Sequence, residues 1–293
     1  MHSLYDAWAY VQLTRPQNAS GSIITYSIGY VLATSSLQAN FFIGLLILLA
    51  LHSLATVHND IEDFDIDRAN KRKSALQDES LSRARARVFV WGLGFISIAL
   101  ALLSSHPVLN IGVITGSLLI TWLYNSNPIR ASKKPLSSIA LMGFCYGTLP
   151  FAYGYFIGGG HLHDRFLALA GLLFLARVST SIMKDYKDVT GDKRSAKQTF
   201  YVRYGRTTTA RASLLTAILA YTGLLLVVAT LKSKNAWFFV ALCLGGLLAL
   251  RAVLLRLQLL KTTKEARLNA IFHQSILSHN QFEAAVLVCL ILS

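Results

Sequence analysis

The sequence predicts an all-α protein built into a membrane, organised as a single domain over residues 1–293. Three observations predict it. Hydrophobic residues make up 54% of the chain and charged residues only 14%, against roughly 25% charged in an ordinary soluble domain, and mean hydropathy is positive at +0.48. The apolar residues gather in nine runs, each near the roughly 20 residues that a helix needs to cross a bilayer. The basic residues lie between those runs, almost all on one side.

The runs cover 18–36, 40–58, 84–104, 107–124, 136–157, 166–184, 210–230, 236–255 and 272–292. The first is rich in Ser, Thr and Tyr. It follows a stretch, Met1 to Gln17, with one basic residue, Arg15, and neither the basic region nor the short apolar core of a cleaved signal, so this span is expected to be retained. The second and sixth run out into acidic motifs followed by basic segments, a weak internal rhythm. The fifth carries Tyr146, Phe151, Tyr153 and Tyr155, which either line a tunnel and offer their ring faces to a cation or serve ordinary packing and interfacial anchoring. The sixth holds Arg177, two turns inside, where an unpaired charge costs at least about 2.5 kcal/mol; it is expected to face the interior, pairing with a carboxylate or phosphate, or to snorkel. The eighth is interrupted by Arg251. In the ninth, His279 and Glu283 at i, i+4 read as a structural hydrogen-bonded pair.

Alternating the spans puts all but four of the 28 lysines and arginines on the side of the N-terminus and of the loops after spans two, four, six and eight. By the positive-inside rule that side is the cytoplasm. Net charge of +14 does not suggest nucleic acid, because no folded polar domain presents it. Cys145, Cys243 and Cys289 lie in apolar runs without short spacing, and read as small core residues rather than a disulfide framework or a metal knuckle. His161-Leu162-His163 beside Gly158-Gly159-Gly160 reads as a loop on the opposite side.

Eight of the 14 acidic residues fall in two clusters, Asp60, Glu62, Asp63, Asp65 and Asp67, and Asp185, Asp188 and Asp192. On a helix Asn59, Asp63 and Asp67 fall at i, i+4 and i+8, with Asp60 one turn before Asp63, so all four share a face while Glu62 and Asp65 point elsewhere. Asp185, Asp188 and Asp192, at i, i+3 and i+7, form a second face on the same side of the membrane. One such cluster alone would read as a solvated turn. Two together would repel and raise their own pKa values without a cation. Magnesium takes hard oxygen ligands and leaves positions for substrate phosphates, so Asn59, Asp60, Asp63, Asp67, Asp185, Asp188 and Asp192 are the candidate metal ligands. The substrate this suits is a diphosphate held through bridging magnesium ions.

Asn-Asp-x-x-Asp-x-x-x-Asp at Asn59 to Asp67, Asp-x-x-Asp-x-x-Gly-Asp at Asp185 to Asp192, early Arg15-Pro16 with Asn18, and a segment from Tyr124 to Lys133 and Lys134 resemble the UbiA superfamily of intramembrane prenyltransferases. The resemblance implies nine helices around a central lipid-accessible cavity, with magnesium and a polyprenyl diphosphate at its cytoplasmic mouth. It further implies transfer of the prenyl group to a lipophilic or aromatic acceptor within the membrane lipid. An aromatic acid, a quinone precursor, an isoprenoid glycerol phosphate and a carotenoid all remain compatible. Arg15, Asn18, Arg72, Tyr124, Lys133, Lys134 and Lys184 are the candidate diphosphate-binding residues, arginine offering a planar fork and lysine a mobile point charge. Asp63, Asp67, Asp185 and Asp188 are the candidate catalytic carboxylates, with Asp67 or Asp185 also placed to assist acceptor deprotonation. One departure stands out: many relatives carry Arg-Pro after the first motif, where this chain reads Arg72-Lys73-Ser74.

Two other readings compete. A membrane terpene cyclase of the same fold would ionise the same donor and capture the cation internally. A cation transporter would place its acidic residues near the bilayer midplane on broken helices, whereas these sit at span ends.

Overall fold

Pro16, Pro107 and Pro135 each open a helix in its first turn, where the missing amide proton has no intrahelical acceptor to lose. The computed structural model describes residues 2–70, 72–187, 189–194, 197–231, 233–262 and 265–293; the side chains of residues 2–6, 185, 187, 190, 191, 194, 265 and 266 lie outside that description. Its helices are α1 (His2–Thr14), α2 (Pro16–Ala33), α3 (Ala39–Glu62), α4 (Phe64–Ala69), α5 (Arg83–Leu102), α6 (Pro107–Asn125), α7 (Pro135–Gly143), α8 (Leu149–Ile157), α9 (Asp164–Ser181), α10 (Val189–Arg194), α11 (Phe200–Ala229), α12 (Ala236–Lys261) and α13 (Glu265–Leu292). A π-helical turn, Phe144–Thr148, joins α7 to α8. Single turns of 3₁₀ helix cover Ala131–Lys133 and Lys184–Lys187.

Seven segments are long and apolar enough to cross a membrane: α3, α5, α6, the α7–α8 unit, α11, α12 and Arg267–Leu292 of α13. The sequence suggested nine. The runs at 18–36 and 166–184 form α2 and α9, 18 residues each, whose hydroxyl and charged side chains set them apart from the other seven. Their neighbours explain the polarity. Both pack inside the bundle: α2 against α8, α3 and α13, and α9 against α11, α7 and the π turn. Gly29 of α2 meets the Phe151 carbonyl and Gly154 of α8 meets the Tyr26 carbonyl, so a Cβ at either would strike backbone. That reciprocal close approach is the packing that small residues permit where water supplies no hydrophobic drive between helices.

The main core joins Phe151, Leu173, Tyr221, Leu224, Phe238 and Phe282 from α8, α9, α11, α12 and α13. Trp91, Phe95, Leu103, Leu215, Leu226 and Trp237 are exposed instead, as lipid-facing side chains should be. Of the cysteines, Cys289 is buried, Cys145 half-buried and Cys243 exposed on the outer face of α12. The core reading therefore fails for Cys243, which contributes to an apolar outer surface with Phe239 and Leu247.

Among the boundaries that differ from the sequence-based ones, three change how a residue reads. Helix α11 begins at Phe200, ten residues before the expected span, and bends at Gly205, whose φ of 76° few side chains tolerate. Helix α12 continues to Lys261, which turns Arg256 from an expected loop charge into a fully buried side chain. Before α9, His163 accepts a hydrogen bond from Phe166 N at 3.0 Å, so it caps a helix rather than sitting in a loose loop.

Candidate active site

The first acidic motif does not form one continuous helix. Helix α3 ends at Glu62, Asp63 adopts φ −93° and ψ 13°, and α4 starts at Phe64. The register survives the bend because Asp63 N still donates to Asn59 O at 2.9 Å and Asp67 N to Asp63 O at 2.8 Å. Asp60, Asp63 and Asp67 are accordingly buried at 2%, 5% and 7% exposure, while Glu62 and Asp65 face out.

Three arginines meet these carboxylates. Arg15 binds Asp60; Arg72 Nη1 donates to Asp67 Oδ2 at 2.9 Å and lies 3.7 Å from Asp60 Oδ1; Arg130 Nη2 donates to Asp63 Oδ1 at 2.8 Å and to Glu62 O at 3.0 Å. Two of the three hold left-handed backbone, Arg15 at φ 47° and Arg130 at φ 36°. For non-glycine residues that conformation costs on the order of 1–3 kcal/mol, and the surrounding structure must over-determine it. Each strained arginine links two helical segments, Arg15 between α1 and α2 and Arg130 before the Ala131–Lys133 turn, and aims its side chain at the motif.

The second motif reaches the first through a lysine. Lys197 Nζ lies 3.4 Å from Asp63 Oδ2 and 3.8 Å from Asp192 Oδ1, and its backbone N donates to Asp192 O at 2.8 Å. Helix α10 packs on α4. Asp192 is buried at 1% exposure. Asp188 lies outside the described residues, as does the side chain of Asp185.

Asn59 Nδ2 donates to Asn125 Oδ1 at 2.8 Å and to Asp63 Oδ2 at 3.3 Å, tying the end of α6 to the motif. Lys184 Nζ donates to Tyr124 Oη at 2.6 Å and to Ser138 Oγ at 3.2 Å, and sits 5.3 Å from the Tyr124 ring centre. Other expected residues stand apart: Asn18 and Lys134 are exposed, and neither Lys133 nor Lys134 joins the ion pairs found among the described residues. The basic residue that the α6–α7 connection delivers is Arg130. Sequence reasoning missed Arg130 and Lys197 as site residues. Their only signal was position, each shortly after a recognised element, among basic residues that topology alone explains.

Burial raises the Asp67 carboxyl above its ordinary range, with Arg72 opposing. Burial acts on Asp63 in the same sense, but Lys197 and Arg130 outweigh it and hold that carboxyl below its usual value. Lys197 is raised against the desolvating effect of burial by Asp63 and Asp192. Asp63 thus contributes stability above its unfolded value, lost as pH falls through the lowered folded one; Lys197 contributes below its unfolded value, lost as pH rises through the raised folded one. The pair is charged throughout the neutral range.

Among the described residues no three His, Cys, Asp or Glu side chains stand close enough to hold a metal as they are placed. The donor chemistry nevertheless fits magnesium. All the acids are hard oxygen donors, Asp60 Oδ1 is buried without a hydrogen bond, and burial raises the Asp67 carboxyl despite Arg72 beside it.

The model of the UbiA prenyltransferase family matches residues 22–276, and the chain belongs to that family. It is 29% identical over 191 residues to a digeranylgeranylglyceryl phosphate synthase of Methanoculleus marisnigri, spanning 65% of this chain and 66% of that one. A second synthase of that name, from Sulfolobus acidocaldarius, is 29% identical over 270 residues, 89% of this chain and 90% of its own. Among solved structures, a UbiA homologue from Archaeoglobus fulgidus bound to GPP and Mg2+ superposes with a TM-score of 0.69 at 17% identity, covering 95% of this chain and 99% of that one. The apo structure of a homologue from Aeropyrum pernix K1 gives 0.70 at 17% identity, covering 94% and 98%. At such identities these structures establish the fold alone.

Proposed function

We propose that this member of the UbiA prenyltransferase family transfers a prenyl group from a polyprenyl diphosphate to a lipid acceptor, at the cytoplasmic mouth of a nine-helix bundle with a lipid-accessible interior. The observation that carries the reading is Lys197, which brings Asp63 of the first motif and Asp192 of the second onto one cation. The relatives' name, digeranylgeranylglyceryl phosphate synthase, supports as acceptor a glycerophosphate lipid that already bears one prenyl chain, in preference to an aromatic one.

Arg15, Arg72, Arg130 and Lys197 neutralise carboxylates in this structure, and the same four side chains would re-pair with a diphosphate if magnesium held the acids. Magnesium, held by Asp60, Asp63, Asp67 and Asp192 together with Asp185 and Asp188, would supply Lewis-acid neutralisation of the leaving group. The arginine forks fix phosphate oxygens bidentately, and Lys197 and Lys184 add point charges where negative charge grows as the allylic C–O bond breaks. Placement at the end of apolar helices keeps bulk water from the allylic cation.

Replacing Asp63 with Ala should abolish turnover, while the protein still elutes as a folded species. Chelation by EDTA should do the same reversibly, and full activity in either case removes the metal-diphosphate reading. The cytoplasmic placement rests on the basic asymmetry. In a background without native cysteines, one introduced at Ser74 should label from the cytoplasm and one at Gly159 from the opposite side, whereas labelling of Ser74 from outside inverts the topology.

A further inference from the structure

One titratable side chain beside the site has no role in holding diphosphate. His52 lies on α3 eight residues before Asp60, about 12 Å deeper into the membrane along the axis, and at +7 and +11 from it Asn59 and Asp63 share its face. It is 8% exposed, and its Nε2 is buried with no hydrogen-bond partner. A buried histidine that serves packing normally finds a partner for that nitrogen, because leaving it bare costs about 1–3 kcal/mol.

The ring across from it is Tyr146, with centroids 5.7 Å apart and planes at 83°. Tyr146 stands within the π-helical turn Phe144–Thr148, an irregularity that recurs at functional sites because it re-aims a side chain. The turn is anchored where Gly147 meets the Leu173 backbone of α9. Phe151, Tyr153 and Tyr155 of the same span are core residues, whereas Tyr146 keeps accessible surface. Because His52 shares its face of α3 with Asn59 and Asp63, the pair lies on the membrane side of the acidic motif, the direction in which the prenyl chain of a bound diphosphate donor would extend.

We propose that His52 is the general base for the acceptor, its Nε2 taking the proton of the attacking hydroxyl while Tyr146 holds the imidazole edge-on. This rests on the prenyl-transfer reading above. The donor C–O bond breaks with its electron pair leaving on diphosphate, the acceptor oxygen forms the new C–O bond, and its proton passes to Nε2 and then to water at the mouth. The acidic motifs then need only bind and ionise the donor.

The test uses the full chain in lipid nanodiscs with magnesium, geranylgeranyl diphosphate as donor and geranylgeranylglyceryl phosphate as acceptor. Transfer and donor-only diphosphate release are both measured. His52→Ala and His52→Gln should lower kcat for transfer about 100-fold or more. Donor KM and donor-only release should stay within threefold of wild type, and added imidazole should restore part of the transfer in His52→Ala. Transfer within threefold of wild type in both variants would overturn the proposal, and so would a parallel loss of donor-only release. Wild-type protein that neither releases diphosphate nor transfers would overturn the prenyl-transfer reading itself, a failure visible before any variant is assayed.

Discussion

Two ionic networks lie in this protein about a dozen ångströms apart along its helices, made from the same kinds of side chain and built in opposite ways. At the mouth, Asp60, Asp63, Asp67 and Asp192 meet Arg15, Arg72, Arg130 and Lys197. Apart from Asp60 at the end of α3, their supports are short helices, turns and two arginines in left-handed backbone, and the basic side chains stay 14–29% exposed. Deeper, Arg177 binds Glu283 and donates to Thr25 Oγ1 at 3.2 Å and Asn280 Oδ1 at 3.3 Å; His279 Nε2 lies 3.2 Å from Glu283 Oε1, and Tyr221 Oη 3.2 Å from His279 Nδ1. Arg256, wholly buried, donates to Ser213, Ser179 and the Ala252 carbonyl. Every one of these residues sits on a long helix. On the proposed reading the mouth is a set of exchangeable partners that a diphosphate would re-pair, while the deep network ties α2, α9, α11, α12 and α13 together.

Stability measurements should separate the two most sharply. Glu283→Ala strands the Arg177 guanidinium in an apolar interior and should destabilise by about 3–5 kcal/mol, seen as a lower unfolding midpoint in detergent. Replacing both partners, Arg177→Met with Glu283→Met, should recover most of that loss, because no bare charge remains. Asp60→Asn at the mouth should change the midpoint far less while eliminating turnover. Equal destabilisation by Glu283→Ala and Asp60→Asn would break the comparison and make the mouth structural as well.

Local chemistry made much of this legible. Helical spacing identified Asp60, Asp63 and Asp67 as one face and excluded Glu62 and Asp65, because i, i+4 geometry survives even the bend at Asp63. The cost of a lone charge in lipid marked Arg177, and the structure resolves its partner as Glu283; His279 Nε2 stands 3.2 Å from Glu283 Oε1, adjacent as the spacing suggested but without an aligned hydrogen bond. What stayed hidden depends on tertiary neighbours. Arg130 and Lys197 look like any topology-setting cation until the α6–α7 connection and the segment after α10 fold back onto Asp63. Arg256 looked like a loop residue because serine hydroxyls on two other helices, Ser179 of α9 and Ser213 of α11, are what make its burial tolerable. Lys133 and Lys134, chosen for their position after Tyr124, give way to Arg130, whose αL backbone no spacing rule announces.

A smaller effect sharpens the comparison at a single arginine. Arg72 reaches Asp67 at 2.9 Å and Asp60 at 3.7 Å, so its two carboxylate neighbours are also candidate metal ligands. If its fork passes to phosphate when magnesium takes those acids, Arg72→Ala should weaken donor binding by roughly 1.5–3 kcal/mol, the scale of a hydrogen bond to a charged group. The unfolding midpoint should move much less than in Glu283→Ala, because Asp60 keeps Arg15 and burial already raises the Asp67 carboxyl toward its neutral form. Arg72→Lys preserves charge and loses the planar fork, so a bidentate contact predicts impaired turnover, whereas a charge that merely sets topology tolerates lysine. Arg15→Lys should behave alike. Donor titration and unfolding of the same preparations decide the matter: unchanged donor affinity in Arg72→Ala, or a midpoint shift as large as that of Glu283→Ala, would place Arg72 with the fixed network rather than the exchangeable one.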